Sequence, residues 1–545
     1  MTYPLVRDLA AEGFAVQLGL WPARWLSRPI DTTRDIQAAS NPYPGFANST
    51  AASSKALGAT VAGDRRTLSA GGDMLAEAER ATKLGRLVPT IKLWLVLGSL
   101  AVSVAALLYF SRNVRPIADD YCFTAGVADK GIIGYSLWYR EAWGSGLMAI
   151  AVGGVFGMLI RPGMETVGYP ALIALVFGML STGMALSIVL LAPFRHIGTV
   201  RTFKFGTATS AGIVAAFGCI ASTLYFGQFS PNASLGYASL YWMSYVTVHL
   251  VPILLLPAYL AFLLRSTPHS VGPRVSLLCL GALFSLFLGA FSPAESAAVA
   301  CALALTTLCC RKSLRILEIR LWTWLVFAMV MGAGVLNAYL SPGRKTRELV
   351  FHNEPLDSGA TLRAVPYDAI RFLWETAMSP ATFVAIAAGV LAALVYSWLA
   401  RPSPGLRLID ATSINRFTIM TTFLGFTTLA LAFTVAYGEA TLYKASYHVV
   451  TIQLCVVLFA AFLGVGIGLL ATESKGRLCA RPTLVLGLAA ILILVPAGIM
   501  GASRVRYLTV DRLMHWPTAS VSIDFMYDYG EADWAKECYE IWRIQ

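Results

Sequence analysis

Charge is scarce in this chain: of its 545 residues only 13% are Asp, Glu, Lys or Arg, while 57% are hydrophobic. A soluble domain carries about 25% charged residues, so the composition excludes a free-standing soluble protein. It predicts an all-α integral membrane protein built as one continuous helical domain, and the mean hydropathy of +0.65 agrees. The nine cysteines are scattered, with no CxxC and no Cys/His spacing, so no metal site is expected from them. Most fall in or beside apolar runs and read as small hydrophobic fillers. Met1 is not followed by the basic region, short apolar core and cleavage site of a signal peptide. A nucleotide-binding glycine loop is missing too, and no clear internal repeat is visible.

What is present is a series of apolar runs. A helix needs about 20 residues to cross a bilayer. Runs of about that length lie at 91–110, 169–194, 205–227, 242–264, 275–291, 294–310, 322–340, 380–399, 417–437, 448–470 and 482–500, eleven in all. Residues 1–85 are rich in Ala, Ser, Gly and Thr and read as a disordered cytoplasmic arm. Residues 86–500 form the membrane domain, and 501–545 a charged external tail.

The formal net charge of +12 would suit a nucleic-acid partner, but the basic residues sit in short loops between apolar runs. Such clustering reports membrane orientation instead. Five loops are basic: Arg195/Arg201/Lys204, Arg265/Arg274, Arg311/Lys312/Arg315/Arg320, Arg401/Arg407/Arg416 and Lys475/Arg477/Arg481. All five face the cytoplasm only if the short, Gly-rich stretch 144–160 does not cross. It is therefore expected as an interfacial or re-entrant helix in a long first external loop, about 111–168. The N-terminus is then inside and the C-terminus outside.

This topology gathers the chemically able residues on the external face. Asp119 and Asp120 follow the first run, where carboxylates are costly to desolvate. One can act as a general base or metal ligand while the other orients it; the alternative is a helix N-cap. The pair has the chemistry to hold Mg²⁺ or Mn²⁺, but one pair does not decide it. Arg344, Lys345 and Arg347 follow a Pro-Gly turn outside a span. They suit a phosphate, which guanidinium binds bidentately, or a salt-bridged loop with Glu348 and Glu354. Glu295, in a tight turn between two runs, can bind a sugar hydroxyl or sit at the favourable end of the next helix. Tyr241, Trp242 and Tyr245, near His249, can stack on a sugar or lie at the membrane interface. Glu439, Lys444 and His448 share one short external loop, where His448 can also cap the next span. Cys122 and Cys538 both face the oxidising side, where a disulfide can form.

In order, the chain shows a first span, Ala118-Asp119-Asp120-Tyr121-Cys122, Trp143-Gly144, Tyr241-Trp242, an acidic turn at Glu295 and Ser341-Pro342-Gly343-x-x-x-Arg347. Over about 91–450 this resembles a family of bacterial polytopic proteins grouped with lipid-linked-sugar glycosyltransferases of the GT-C fold. The resemblance implies an inner-membrane enzyme that takes sugar from a polyprenyl-phosphate donor to a glycan or glycolipid acceptor. It matches Asp119 and Asp120 to the acidic motif, Glu295 to the acidic turn, and Pro342, Gly343 and Arg347 to the Pro-Gly motif. The chain departs from the pattern at Arg344, where the family tends to have Asn, and at Ser145-Gly146, where it tends to have Arg. Two rival classes predict other features: a transporter or flippase needs ionisable groups at mid-bilayer, and an assembly scaffold tolerates substitution at Asp119, Asp120 and Arg347.

Overall fold

In the computed structural model the described residues are 119–142, 146–159, 165–191, 201–226, 246–266, 275–343, 358–400, 411–441 and 449–473, with Ala105, Leu108 and Tyr109. Helices dominate, and no β-strand forms among the described residues. They are α1 (Asp119–Ala142), α2 (Leu147–Leu159), α3 (Glu165–Leu191), α4 (Arg201–Phe226), a π-turn (Val246–Leu250) leading into α5 (Val251–Leu254) and α6 (Leu256–Ser266), α7 (Val275–Gly289), α8 (Pro293–Cys309), α9 (Arg311–Ile316), α10 (Leu321–Tyr339), α11 (Ser358–Ala377), α12 (Pro380–Ala400), α13 (Ala411–Thr441) and α14 (Val449–Glu473).

Six helical stretches are long and apolar enough to cross a membrane: Val167–Leu191, Val246–Ser266, Leu321–Tyr339, Pro380–Ser397, Ala411–Tyr437 and Val450–Thr472. Three further expected spans are helical but shorter as apolar stretches: Thr207–Thr223, Val275–Gly289 and Pro293–Cys309. With 15 and 17 residues, α7 and α8 reach about 22 and 25 Å at 1.5 Å per residue, short of a bilayer core of about 30 Å. The expected run 482–500 lies outside the described residues, as does almost all of 91–110. The Gly-rich stretch forms α2, whose 13 residues reach about 20 Å, less than a bilayer core of about 30 Å.

Small residues decide how the long helices pack. On α12, Ala381, Ala385, Ala388 and Ala392 are fully or almost fully buried and recur every three to four positions, one face of a helix. They let α14 approach until Gly464 lies against the backbone of Ile386, leaving no room for a Cβ. Close approach of this kind is how helices associate where lipid tails are as apolar as leucine. Buried hydroxyls bond within their own helix: Ser187 donates to Gly183 O (2.8 Å), Ser285 to Gly281 O (2.7 Å) and Thr427 to Phe423 O (2.8 Å). Cys219, Cys310 and Cys455 are buried fillers as expected, whereas Cys279, Cys301 and Cys309 point outward from their helices.

The segment expected as the first external loop is more structured than the sequence suggests. Its α1 is a hairpin of two helical arms that reverse at Gly131, where φ is 68° and ψ 169°. That backbone region belongs almost solely to glycine. The reversal brings Phe123 onto Tyr135 and Tyr139, with ring centroids 5.7 and 5.8 Å apart. In a straight helix residues 16 apart would stand about 24 Å apart. Phe123 and Tyr135 are buried, so an aromatic core closes the hairpin.

Candidate functional site

Four segments converge around the N-terminus of α8. Ser292 is extended (φ −60°, ψ 130°) and Pro293 takes the first helical position, where its missing N–H costs nothing. Glu295 then falls in the first turn, at the positive end of the helix dipole. Ser296 locks the preceding turn by donating to Leu288 O at 2.6 Å.

Facing it is His249. Pro252 and Pro257 each remove a helical N–H, and the backbone responds with a π-turn at Val246–Leu250 and a break at Leu255. The π-turn carries His249, whose Nδ1 lies 2.8 Å from Glu295 Oε1. Glu295 is fully buried, and the His249 side chain is 17% exposed. A buried carboxylate is stable only when paired and hydrogen-bonded, and the imidazole serves Oε1. In the tautomer that carries Nδ1–H, this nitrogen donates to the carboxylate and Nε2 is left as an acceptor. Carboxylate and histidine in this order are the usual parts of a proton-accepting dyad.

The loop helix α2 seals one side. Met148 N donates to Ala290 O at 3.0 Å, binding the start of α2 to the turn before α8. Gly146 lies so close to the carbonyls of Ala290 and Phe291 that any side chain there would overlap them. Gly146 therefore has a packing reason, and this part of Ser145-Gly146, where the chain departs from the resembled pattern, touches the acidic turn directly. Further along α2, Gly153 packs on Phe123 and beside Thr247 of the π-turn.

The α1 hairpin packs on α2 and reaches α10. Because Phe123 meets Tyr139, the backbone of Asp119 and Asp120, one turn earlier, starts level with Arg140–Ala142. Arg140 Nη2 donates to Asn337 Oδ1 at 2.8 Å, fixing that end of α1 to the last turn of α10. One turn beyond Asn337 stands Ser341-Pro342-Gly343, the start of the Pro-Gly motif. One turn before Asn337, α10 crosses α7 at Gly334 and Gly289, so the ends of α7 and α10 and the start of α8 share one end of the bundle.

Of the residues expected to act, Glu295 has a described side-chain environment. Asp119 and Asp120 open α1 and Glu439 lies in the last turn of α13; their side chains, like those of Arg344, Lys345, Arg347, Tyr241, Trp242, Lys444 and His448, lie outside the described residues. The Cys122–Cys538 pairing lies outside them as well. No group of three or more His, Cys, Asp or Glu able to hold a metal ion occurs among the described residues. Sequence reasoning named His249 only as the neighbour of Tyr241, Trp242 and Tyr245, and passed over Arg140. The signal for His249 was available: it is the lone His, Asp, Glu, Lys or Arg in the run 242–264, beside two prolines.

No family model, curated protein or solved structure matches the chain.

Proposed function

We propose that this chain is a membrane glycosyltransferase that moves a sugar from a polyprenyl-phosphate donor to a glycan or glycolipid acceptor on the external face. The observation that carries the reading is the shared location just described. The start of α1 with its two aspartates, the buried Glu295–His249 pair and the turn that opens the basic stretch lie at one end of the bundle. Sugar transfer from a lipid phosphate needs these kinds of groups together: a base for the acceptor hydroxyl and cations for the leaving phosphate.

In this reading Asp119 or Asp120 takes the proton from the acceptor. Arg344, Lys345 and Arg347 hold the donor phosphate and stabilise the charge that develops as the glycosidic bond breaks. Glu295 fixes the ring of His249 beside the reacting groups, and Tyr241, Trp242, Glu439 and His448 line the substrate. The reading brings with it eleven spans, the short α7 and α8 crossing where the bilayer thins to meet them, a GT-C-like topology and a place in the bacterial inner membrane with the N-terminus inside and the C-terminus outside. A divalent cation at the Asp119-Asp120 pair is an optional part of it.

Turnover of a radiolabelled polyprenyl-phosphate sugar by the purified protein tests the proposal. Asp120→Asn is expected to lower transfer by about a hundredfold or more with an unchanged melting temperature; full activity in that variant removes the assignment. A transporter or flippase is the second reading, favoured by the same buried ionisable pair. Movement of lipid-linked sugar across proteoliposomes without sugar transfer would select it.

A further inference from the structure

We infer that Arg140, Asn337 and Ser341 form a phosphate-binding site at the junction of α1 and α10. The inference deepens the glycosyltransferase reading and rests on it for the source of the phosphate, a prenyl-chain lipid.

Arg140 is held on one edge only. Its Nη2 donates to Asn337 Oδ1 at 2.8 Å, while its Nε is buried and has no hydrogen-bond partner. No described carboxylate lies within ion-pair distance of the guanidinium. A buried donor on a cation is an unfavourable arrangement unless an acceptor completes it. The Nε edge of a guanidinium fits two oxygens of one phosphate.

Ser341 supplies an independent second observation. It stands one turn past Asn337, is 3% exposed, and its Oγ has no hydrogen-bond partner. A serine O–H, an asparagine amide N–H₂ and an arginine fork are three kinds of donor with a positive charge among them, a set that suits an anion and not a metal ion. The surroundings favour an anion on a lipid. Leu336, Tyr339 and Leu340 are 55%, 52% and 67% exposed at the same end of α10, an apolar surface along which a prenyl chain can run.

The test uses the full-length protein in phosphatidylcholine nanodiscs, with farnesyl phosphate, farnesol and inorganic phosphate as probes. Wild type is expected to bind farnesyl phosphate at least tenfold more tightly than Arg140→Gln, with Arg140→Lys intermediate because it keeps the charge and loses the fork. Ser341→Ala is expected to weaken binding severalfold, and farnesol binding is expected to be the same in all of them. Arg140-dependent binding of farnesyl phosphate but not inorganic phosphate supports the site and assigns it to a lipid; dependence with both probes supports a site for the phosphate group alone. Equal affinity of wild type, Arg140→Gln and Arg140→Lys, or no phosphate binding by wild type, overturns it. Should Arg140→Gln not elute as a folded species, Arg140→Lys and Ser341→Ala decide. Arg140-dependent binding without sugar transfer leaves the site standing and removes the enzyme reading. Transfer with an unchanged donor KM in Arg140→Gln does the reverse.

Discussion

Along the seam between α12 and α14, Gly464 meets the backbone of Ile386 and Gly389 meets that of Ala461, with alanines filling the rest of the face. At the start of α8 an equally buried surface holds a carboxylate on an imidazole, with a π-turn behind it and a backbone hydrogen bond from α2 across it. The seam is held by shape, through glycine and alanine contacts. The start of α8 is held by charge, and it interrupts regular helix to do so. Burying an ionisable pair in an apolar bundle is costly, and the start of α8 bears that cost where the seam does not.

Substitutions that exchange the two kinds of stabilisation sharpen this contrast. The largest loss is expected from His249→Ala, which strands the buried Glu295 carboxylate and costs about 3–5 kcal/mol. Thermal unfolding in detergent measures it, and adding Glu295→Ala to the same chain is expected to recover a good part. If the double variant is no more stable than the single one, the pair is not coupled. Next comes Gly464→Leu, where the seam must part to admit a side chain; the cost is about 3 kcal/mol, read as a lower melting temperature and a lost monodisperse peak. Gly131→Ala is expected to cost about 2 kcal/mol through its left-handed backbone, and to open the α1 hairpin so that amide exchange rises over Asp119–Ala142. Smallest is Cys279→Ser, outward-facing on α7 and expected to change stability by less than about 0.5 kcal/mol. A large effect there would mean that the outer face of α7 is covered.

The contrast also explains what could be read from the chain beforehand. Apolar runs announce themselves because lipid demands them, so α3, α10, α12, α13 and α14 fall within a few residues of the expected spans. The end of α7 at Gly289 was hidden because its apolar run, 275–291, continues into Ala290-Phe291, whereas α8 has the 17 residues expected of its run. The hairpin in α1 was hidden too: a single glycine reverses the chain, and its aromatic core follows no simple period. Pairings such as His249 with Glu295, 46 positions apart, and Arg140 with Asn337, 197 apart, depend on packing that no local pattern encodes. Glu295 was recognisable as a single carboxylate in a turn, but its partner was not.

The reversal at Gly131 has a bearing on biogenesis. A hairpin closed within 24 residues needs nothing from downstream sequence and can form while the ribosome is still at work, because short-range contacts assemble fastest. Asn337 emerges long afterwards and must dock onto a hairpin already waiting for it. A truncated or stalled chain would thus carry the closed hairpin without its hydrogen-bond partner on α10.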